Sequence, residues 1–269
     1  MTRRWGTLRW GTLRWGTLRW GTVGLLLAVV LTSCTSRSGS SADDGETTTE
    51  MTATEDTETT SSESEEGGWT LDPDDPCQFA ENPAEELPVG GPPPGEAEPG
   101  KAVLTTNFGD IGFDLAPDKA PCTVRSITHL VTEGFYDGGN CHRLTTSAGL
   151  KVLQCGDPNG DGTGGPGYTI PDEPPTDLVP VPSEPSYVVY PRGTVAMAKT
   201  QEPNSGGSQF FLVYADSTLP PDYTVFGTLD ATGLATVETI AANGLTPGNS
   251  PEDGEPTEPV EIERASIRR

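Results

Sequence analysis

The chain has little positive charge. Its 269 residues include 16 lysines and arginines against 40 acidic residues, which gives a formal net charge of −24. Five of the arginines lie in the first 33 positions, where there is no acidic residue, so the other 11 basic and 40 acidic residues leave −29 on the rest of the chain. A surface that binds nucleic acid needs a basic footprint for the phosphates. The composition therefore argues against nucleic acid as a partner.

Histidine and the common catalytic motifs are also scarce. The chain has two histidines and no Cys-x-x-Cys motif of the redox type. Ser208 does not lie in the Gly-x-Ser-x-Gly turn that exposes a hydrolase nucleophile, so His142 has no nucleophile partner for which it would act as a base. We expect no hydrolytic triad, no cofactor and no metal.

Long apolar runs are missing as well. The run from Val23 to Leu31 has nine residues, whereas a helix that spans a bilayer needs about 20. It follows a basic segment and ends at Leu31-Thr32-Ser33-Cys34, which resembles a bacterial lipobox. We predict that residues 1–33 are a lipoprotein signal peptide and that lipidated Cys34 anchors the chain to the extracytoplasmic face of a bacterial cell membrane. Secretion without a lipid is the alternative.

The next segment is polar and acidic. Residues 35–68 are almost entirely Ser, Thr, Glu, Asp and Gly, and residues 83–99 are rich in Pro and Gly. Such segments bury too little apolar surface to offset the entropy of ordering. We predict a disordered linker over 34–100 and a single folded domain over 101–269, a length sufficient for one well-buried core.

The folded part reads mainly as short strands. Alternating runs on both sides of Asn107 to Asp110 predict a β-hairpin over 102–115. Apolar residues at Val124, Ile127 and Leu130 predict a helix that ends before Gly134. Further strands are predicted near 142–144, 151–155, 193–198, 209–214, 224–228 and 259–267, with a second helix over 233–243. Many short strands and two helices predict a closed or nearly closed antiparallel barrel.

Three motifs carry the candidate chemistry. They are Cys141-His142-Arg143, Gln154-Cys155-Gly156-Asp157 and Gly206-Gly207-Ser208-Gln209-Phe210-Phe211. Together they place one arginine, two glutamines and a phenylalanine on predicted strands. This set suits a site that holds an apolar ring against an aromatic wall and directs a guanidinium at an amide.

In this order along residues 101–269, the motifs resemble the cyclophilin-type peptidyl-prolyl cis-trans isomerases, here in a bacterial lipoprotein form. The resemblance implies a mainly β fold, an eight-stranded antiparallel barrel capped by two α-helices and preceded by a disordered tether. It also implies that proline-containing polypeptides are the substrates and that the protein is a monomer. The implied reaction in exported proteins is rotation about X–Pro bonds without any covalent step.

The resemblance also implies roles for single residues. Arg143 is the catalytic cation, because a positive charge directed at the imide nitrogen stabilises the twisted amide better than the planar one. Gln154 orients Arg143 and contacts the peptide carbonyl. The remaining residues implied to bind substrate are Phe211, Val152, Ala198, Lys199, Gln209, Leu219, Tyr223 and His142, although a structural imidazole is our preferred interpretation of His142.

Two departures leave other functions open. Lys151 stands where the family usually has a pocket phenylalanine, and the loop from Thr145 to Leu150 is longer and is a candidate for a substitute wall. The alternative to an isomerase is therefore a non-catalytic module that binds proline peptides at the cell surface. The run from Asp157 to Gly162 imitates the start of a calcium loop, but Tyr168 stands where such a loop needs glutamate.

Four cysteines follow Cys34, and outside the cytosol they suggest disulfides. Four cysteines allow three pairings. The family fold puts Cys141 and Cys155 on neighbouring strands and Cys122 at the start of the nearby helix, which leaves Cys122 or Cys155 as the partner of Cys141. A zinc site that includes His142 is the alternative.

Overall fold

A computed structural model describes residues 74–82 and 88–269. Within these residues the helices are α1 (Pro121–Thr132) and α2 (Ala231–Ala242). The strands are β1 (Ala80–Glu81), β2 (Lys101–Thr106), β3 (Gly109–Leu115), β4 (Asn140–Cys141), β5 (Arg143–Thr145), β6 (Val152–Cys155), β7 (Tyr168–Thr169), β8 (Val179–Val181), β9 (Glu184–Tyr190), β10 (Thr194–Met197), β11 (Phe210–Val213), β12 (Ser217–Leu219), β13 (Val225–Leu229), β14 (Leu245–Ser250), β15 (Asp253–Pro256) and β16 (Val260–Arg268). Neither helix in this part of the chain could cross a membrane.

The main sheet curls round on itself. Its strand order is β14-β15-β5-β6-β11-β10-β13-β3-β2-β16-β4, and every pairing between neighbours is antiparallel. Strand β4 at one end and β5 near the other are separated along the chain only by His142. Eight strands run in the sheet from β5 to β16. Since β4 pairs with β16 and is followed directly by β5, the first and last of these eight strands lie close together. The predicted fold class, eight curled antiparallel strands with two helices, is confirmed.

The β2–β3 hairpin lies where the sequence predicts it. Thr106 pairs with Gly109, and the Thr106 hydroxyl donates to the Gly109 carbonyl oxygen at 2.7 Å. Gly109 has a φ of +112°, a conformation that side-chain-bearing residues rarely adopt. Because successive side chains alternate, Leu104, Ile111 and Phe113 are buried in the core between the sheet and the helices.

Helix α1 covers this core with the predicted apolar face. Val124, Ile127, Leu130 and Val131 are all buried. The Glu173 carboxylate accepts hydrogen bonds from the free backbone N–H groups of Cys122 and Thr123, both at 2.9 Å, at the start of the helix. A negative charge at this end is favoured by the helix dipole.

Strands β5, β6, β10 and β11 bury residues on both faces. One face sends Leu144, Leu153, Val195 and Leu212 into the main core. Val152, Ala196, Phe211 and Val213 on the opposite face form a second apolar cluster with Val188 and Tyr190 of β9. This second cluster is the floor on which the candidate site is built.

Part of the predicted linker is packed against the domain. Cys77 and Phe79 are 4% and 2% exposed, Cys77 forms a disulfide with Cys122, and Asp75 forms an ion pair with the buried Arg125. Strand β1 also pairs with β7. The folded unit therefore starts before residue 101 in the described structure, because a covalent link and a buried aromatic ring hold residues 74–82 in place. The predicted signal peptide and Cys34 lie outside the described residues.

The described cysteines form two disulfides, Cys77–Cys122 and Cys141–Cys155. Of the two partners left open for Cys141, the structure has Cys155. Both sulfurs of this second bridge are used, which leaves no thiolate there for the alternative zinc site.

The Cys77–Cys122 bridge is expected to stabilise the fold more than the Cys141–Cys155 bridge. The two bridges join residues 45 and 14 positions apart, and the chain-entropy relation gives about 4 and about 3 kcal/mol for loops of these sizes. We therefore expect the double substitution Cys77→Ala/Cys122→Ala to lower the free energy of unfolding in urea by about 4 kcal/mol. Cys141→Ala/Cys155→Ala is the matched comparison, and an unchanged stability of the first variant would contradict the docking of residues 74–82.

Candidate functional site

The site starts from one row of residues across neighbouring strands. Arg143 on β5 pairs with Gln154 on β6, Gln154 pairs with Phe211 on β11, and Phe211 pairs with Ala196 on β10. Residues paired in register project to the same face of a sheet. The antiparallel register therefore places a guanidinium, an amide and an aromatic ring side by side, although the three motifs are far apart in the sequence.

A cavity of about 220 Å³, here called the ring cavity, lies over this row. Eight of the ten site residues named from the sequence line it, and Leu150 lines it in addition. The eight are Arg143, Gln154, Phe211, Val152, Ala198, Lys199, Leu219 and Tyr223.

Aromatic rings form one side of the ring cavity. Phe211 contacts Tyr223 edge to face, with ring centroids 5.6 Å apart, and Tyr190 packs behind Phe211 at 6.4 Å. The Tyr190 hydroxyl donates to the Pro220 and Tyr223 carbonyl oxygens at 3.0 and 3.2 Å. Tyr190 therefore holds in place the loop that carries Tyr223. It belongs to β9, which the sequence analysis did not predict.

The lining of the ring cavity shows how the chain accommodates Lys151. The Lys151 ammonium donates to the Thr146 carbonyl oxygen at 3.2 Å, and Lys151 does not line the cavity. The neighbouring Leu150 lines it instead. The loop proposed from the sequence as a substitute wall thus supplies an apolar side chain at this place.

Arg143 is held on two sides. Its Nε and Nη2 donate to the two carboxylate oxygens of Asp253 at 2.8 and 2.7 Å, and Nη1 donates to Gln154 Oε1 at 3.1 Å. This two-pronged pairing fixes the plane of the guanidinium. Of its five N–H groups, three are used in these bonds, which leaves one on each terminal nitrogen for a ligand.

A chain of hydrogen bonds leads from Arg143 through Gln154 and Gln209 to a glycine-rich turn. Gln154 Nε2 donates to Gln209 Oε1 at 2.9 Å, and Gln209 Nε2 donates to the Gly164 carbonyl oxygen at 2.8 Å. The Gly164 N–H in turn donates to the Asp157 carboxylate at 2.9 Å, so close that a Cβ at residue 164 would lie 2.4 Å from Asp157 Oδ1. Asp157 also accepts from the backbone N–H groups of Asn159 and Gly162. Its carboxylate therefore organises a glycine-rich turn, the interpretation that competed with a calcium loop.

Both charges of the Arg143–Asp253 pair are stabilised. The hydrogen bonds from Arg143 lower the pKa of Asp253, and those same bonds raise the pKa of Arg143. Both groups are therefore ionised at neutral pH. Each side chain is 39% exposed, so solvent screens the pair and its main effect is on geometry.

Asp253, which fixes Arg143, is a site residue that the sequence analysis did not name. It starts β15, in a hairpin with β14 that pairs with β5 through Asp253 and Thr145. The hairpin sequence is rich in Pro, Gly and acidic residues and lacks the alternation that predicts strands. The signal that could have indicated such a residue is electrostatic, because an arginine in a partly buried site needs a carboxylate partner.

Two of the residues named from the sequence lie outside the ring cavity. Gln209 lines an adjoining polar cavity and reaches Arg143 only through Gln154. His142 lines a third cavity together with Arg143, Gln154, Asp253 and Glu255, and it does not line the ring cavity. A role of His142 in substrate binding stays a prediction.

His142 is buried and unpaired. It is 8% exposed, and neither ring nitrogen has a hydrogen-bond partner. Burial lowers its pKa, an effect that the charge of Arg143 reinforces and the carboxylates of Asp157, Asp161 and Glu255 oppose. The imidazole is therefore neutral at pH 7, in agreement with the structural role preferred from the sequence.

The comparisons with known proteins agree with this geometry. The family described as "Cyclophilin type peptidyl-prolyl cis-trans isomerase/CLD" matches residues 101–267. The chain belongs to this cyclophilin-type family. The resemblance to this family is thereby confirmed for residues 101–267, and the lipoprotein form stays a prediction.

The relatives include mycobacterial proteins. The chain is 49% identical over 195 residues to "Probable peptidyl-prolyl cis-trans isomerase B" of Mycobacterium tuberculosis H37Rv, a match that covers 69% of this chain and 62% of that protein. It is 52% identical over 179 residues to the protein of the same name from Mycobacterium leprae, covering 65% of this chain and 59% of the relative. The chain thus spans about three fifths of these relatives. Among solved structures, a Cryptosporidium parvum cyclophilin-type isomerase aligns with 28% identity and a TM-score of 0.49, covering 64% of this chain and 99% of that one.

The buried, unpaired His142 makes stability depend on pH. Unfolded His142 titrates near its ordinary value of 6.5, whereas the folded protein has a lowered pKa. Below pH 6.5 the unfolded state therefore binds a proton that the folded state does not, and we expect the free energy of unfolding to fall as the pH drops from 7 to 5. Urea unfolding at several pH values measures this slope.

The substitution His142→Leu should flatten that slope and leave stability at pH 7.5 unchanged or higher, because no hydrogen bond is lost. His129→Gln is the control, since His129 is bonded to the Gly90 carbonyl oxygen on the far side of α1. An equal slope in the wild type and in His142→Leu would show that His142 does not cause the pH dependence.

Proposed function

We propose that this protein is a peptidyl-prolyl cis-trans isomerase that accelerates rotation about X–Pro bonds in exported proteins. The observation that carries the proposal is the fixed guanidinium of Arg143 in the lining of a cavity that Phe211 and Tyr223 also line. Membership of the cyclophilin-type family supports it. The substrates proposed are proline-containing polypeptides.

The chemistry requires no bond to the enzyme. Rotation about a peptide bond meets a barrier of roughly 18–20 kcal/mol, because resonance keeps the amide planar. As the amide twists, resonance is lost and the imide nitrogen regains its lone pair. A catalyst therefore only needs to bind the twisted amide more tightly than the planar one.

Arg143 has the geometry for this task. Three of its five N–H groups are committed to Asp253 and Gln154, and the two that remain can donate to an imide nitrogen and a neighbouring carbonyl oxygen. A hydrogen bond from a charged group contributes about 1.5–3 kcal/mol. The rest of the acceleration comes from preorganisation, since a dipole that is already oriented needs no rearrangement during the reaction.

The competing function is a module that binds proline peptides without catalysis. This alternative was based on Lys151, which stands where the family usually has a pocket phenylalanine. Leu150 gives the cavity an additional apolar side chain, so the argument for a non-catalytic module is weaker than the sequence indicated. The experiment below also separates the two functions.

Arg143→Ala should slow isomerisation while peptide binding persists. We expect kcat/KM to fall by about 10- to 150-fold, the equivalent of one charge-assisted hydrogen bond. Exchange spectroscopy by NMR on an Ala-Pro peptide measures the rate. The matched control is Arg192→Ala, which removes an exposed arginine paired with Glu238. If the wild type binds the peptide but does not accelerate exchange, the protein is a non-catalytic binding module. Full activity in Arg143→Ala would rule out the proposed mechanism.

A double-mutant cycle tests whether Asp253 acts through Arg143. Asp253→Ala alone should reduce kcat/KM about tenfold, because the guanidinium loses two of its three bonds. In the Arg143→Ala background the same change should have no further effect. Additive losses would mean that Asp253 supports the fold or the substrate independently.

We also propose that Cys34 carries a lipid that holds the domain at the extracytoplasmic face of the membrane, with the acidic segment after Cys34 as a spacer. The two disulfides support an oxidising compartment.

Removal of the lipid should release the protein from the membrane. When the full chain is expressed in a bacterium that processes lipoproteins, the wild type should fractionate with membranes, and Cys34→Ala should be soluble. Mass spectrometry of the N-terminal peptide identifies the acyl groups. An unmodified Cys34 in a secreted, soluble wild type would support the alternative of secretion without a lipid.

A further inference from the structure

The Cys141–Cys155 disulfide encloses the two residues to which the catalytic roles are assigned. Cys141 is two positions before Arg143, and Cys155 directly follows Gln154. Neither cysteine lines the ring cavity or the third cavity, which contains His142. An effect of this bridge on the site therefore passes through the position of the strands that carry Arg143 and Gln154.

Arg143 lies where the pairing of β5 ends on both sides. Strand β5 has three residues, and its pairing with β6 ends at Arg143 and Gln154. Its pairing with β15 already ends at Leu144. The preceding residue, His142, belongs to no strand, and β4 before it pairs with β16 instead. Since the ends of short ladders open more readily than their centres, backbone pairing alone holds Arg143 weakly.

Cys155 lies in a part of the sheet that is held more firmly. Strand β6 pairs with β11 over all four of its residues, and Cys155 itself pairs with Phe210. Both cysteines are buried in the main core, Cys155 at 0% and Cys141 at 2% exposure. In the order of the described strands β4 and β6 are not neighbours. The disulfide therefore joins these two strands where backbone pairing does not.

We propose that the Cys141–Cys155 bridge is a positioning element of the isomerase, which holds Arg143 in register with Gln154 at the end of β5. The inference rests on the proposed function. The bridge ties the chain just before Arg143 to the residue just after Gln154, so it limits the displacement of the guanidinium relative to the ring cavity. A displacement of about 1 Å is sufficient to reduce a catalysed rate on the order of 100-fold.

The other disulfide offers a matched comparison. Cys77–Cys122 joins the segment before β1 to the start of α1, and neither of its cysteines lines the ring cavity. It closes the longer loop and is expected to stabilise the fold more. If both bridges contributed only stability, removal of Cys77–Cys122 would have the larger effect on every property. The proposal predicts the reverse order for activity.

The two double variants should therefore rank in opposite order by stability and by activity. In Cys141→Ala/Cys155→Ala we expect kcat for an Ala-Pro peptide to fall about 5- to 20-fold, while KM changes by less than about twofold because the walls of the ring cavity remain. Cys77→Ala/Cys122→Ala should keep the wild-type kcat and KM. Exchange spectroscopy by NMR over a series of peptide concentrations measures both constants, at a temperature where all three proteins are folded.

Two further measurements separate positioning from stability. The Nε–H of Arg143 donates to Asp253 in the folded protein, and its NMR signal should exchange with water faster once the Cys141–Cys155 bridge is removed. Removal of the Cys77–Cys122 bridge should leave this exchange unchanged. In the Arg143→Ala background, loss of the Cys141–Cys155 bridge should not lower the remaining rate any further.

The outcomes decide for or against the bridge as a positioning element. Wild-type kcat in Cys141→Ala/Cys155→Ala, or equal losses in both double variants, would overturn the proposal. If the first variant is partly unfolded, sucrose shifts it towards the folded state; a variant that stays unfolded would also overturn the proposal, because the bridge would then support the whole fold. A wild type that does not accelerate exchange would contradict the proposed function, whereas the Arg143 Nε–H signal would still report on the position of the guanidinium.

Discussion

The site depends on one interaction, the two-pronged hydrogen bond between Arg143 and Asp253. A free arginine side chain samples many rotamers, and ordering it costs conformational entropy. Asp253 fixes the guanidinium before any ligand arrives, but it also offsets part of the positive charge that a twisted amide would experience. Both side chains are partly exposed, so water screens the pair and reduces the effect of the Asp253 charge on a ligand. The arrangement therefore favours orientation over the strength of the electric field.

The curl of the sheet makes this interaction possible. Strand β5 lies between β6, which carries Gln154, and β15, which carries Asp253, so both partners reach Arg143 from neighbouring strands. Gln154 Nε2 donates a hydrogen bond to Gln209 Oε1, so the orientation of the Gln154 amide also fixes that of the Gln209 amide. Each glutamine amide has only one orientation that satisfies these bonds, and the polar edge of the site is consequently preorganised.

Local patterns predicted most of the framework, and long-range pairing explains most of what they missed. The β2–β3 hairpin and α1 follow from alternation and helical spacing within about 15 residues, and the motifs around Arg143, Gln154 and Phe211 were sufficient to name the site. Asp253 was not named, because its partner is 110 residues away and its hairpin has no strand-like alternation. Residues 74–82 were assigned to the linker because composition does not reveal that Cys77 is bonded to Cys122. The resemblance implies that Lys151 replaces a pocket phenylalanine, but only packing shows that its ammonium bonds to the Thr146 carbonyl oxygen and that Leu150 lines the cavity.

The two cations of the site share a principle of construction. Arg143 and Lys199 each form an ion pair with a carboxylate, Asp253 or Asp172, and each lines the ring cavity. The rest of the surface is strongly acidic, and its charges act through water, where they decay within about 10 Å at 0.1 M salt. The Arg143 side chain is 39% exposed and that of Lys199 is 10% exposed, so water screens the Arg143–Asp253 pair more than the Lys199–Asp172 pair. At such distances the net charge of the chain bears on solubility and on the approach of partners, whereas the geometry of the site is set by these two short ion pairs.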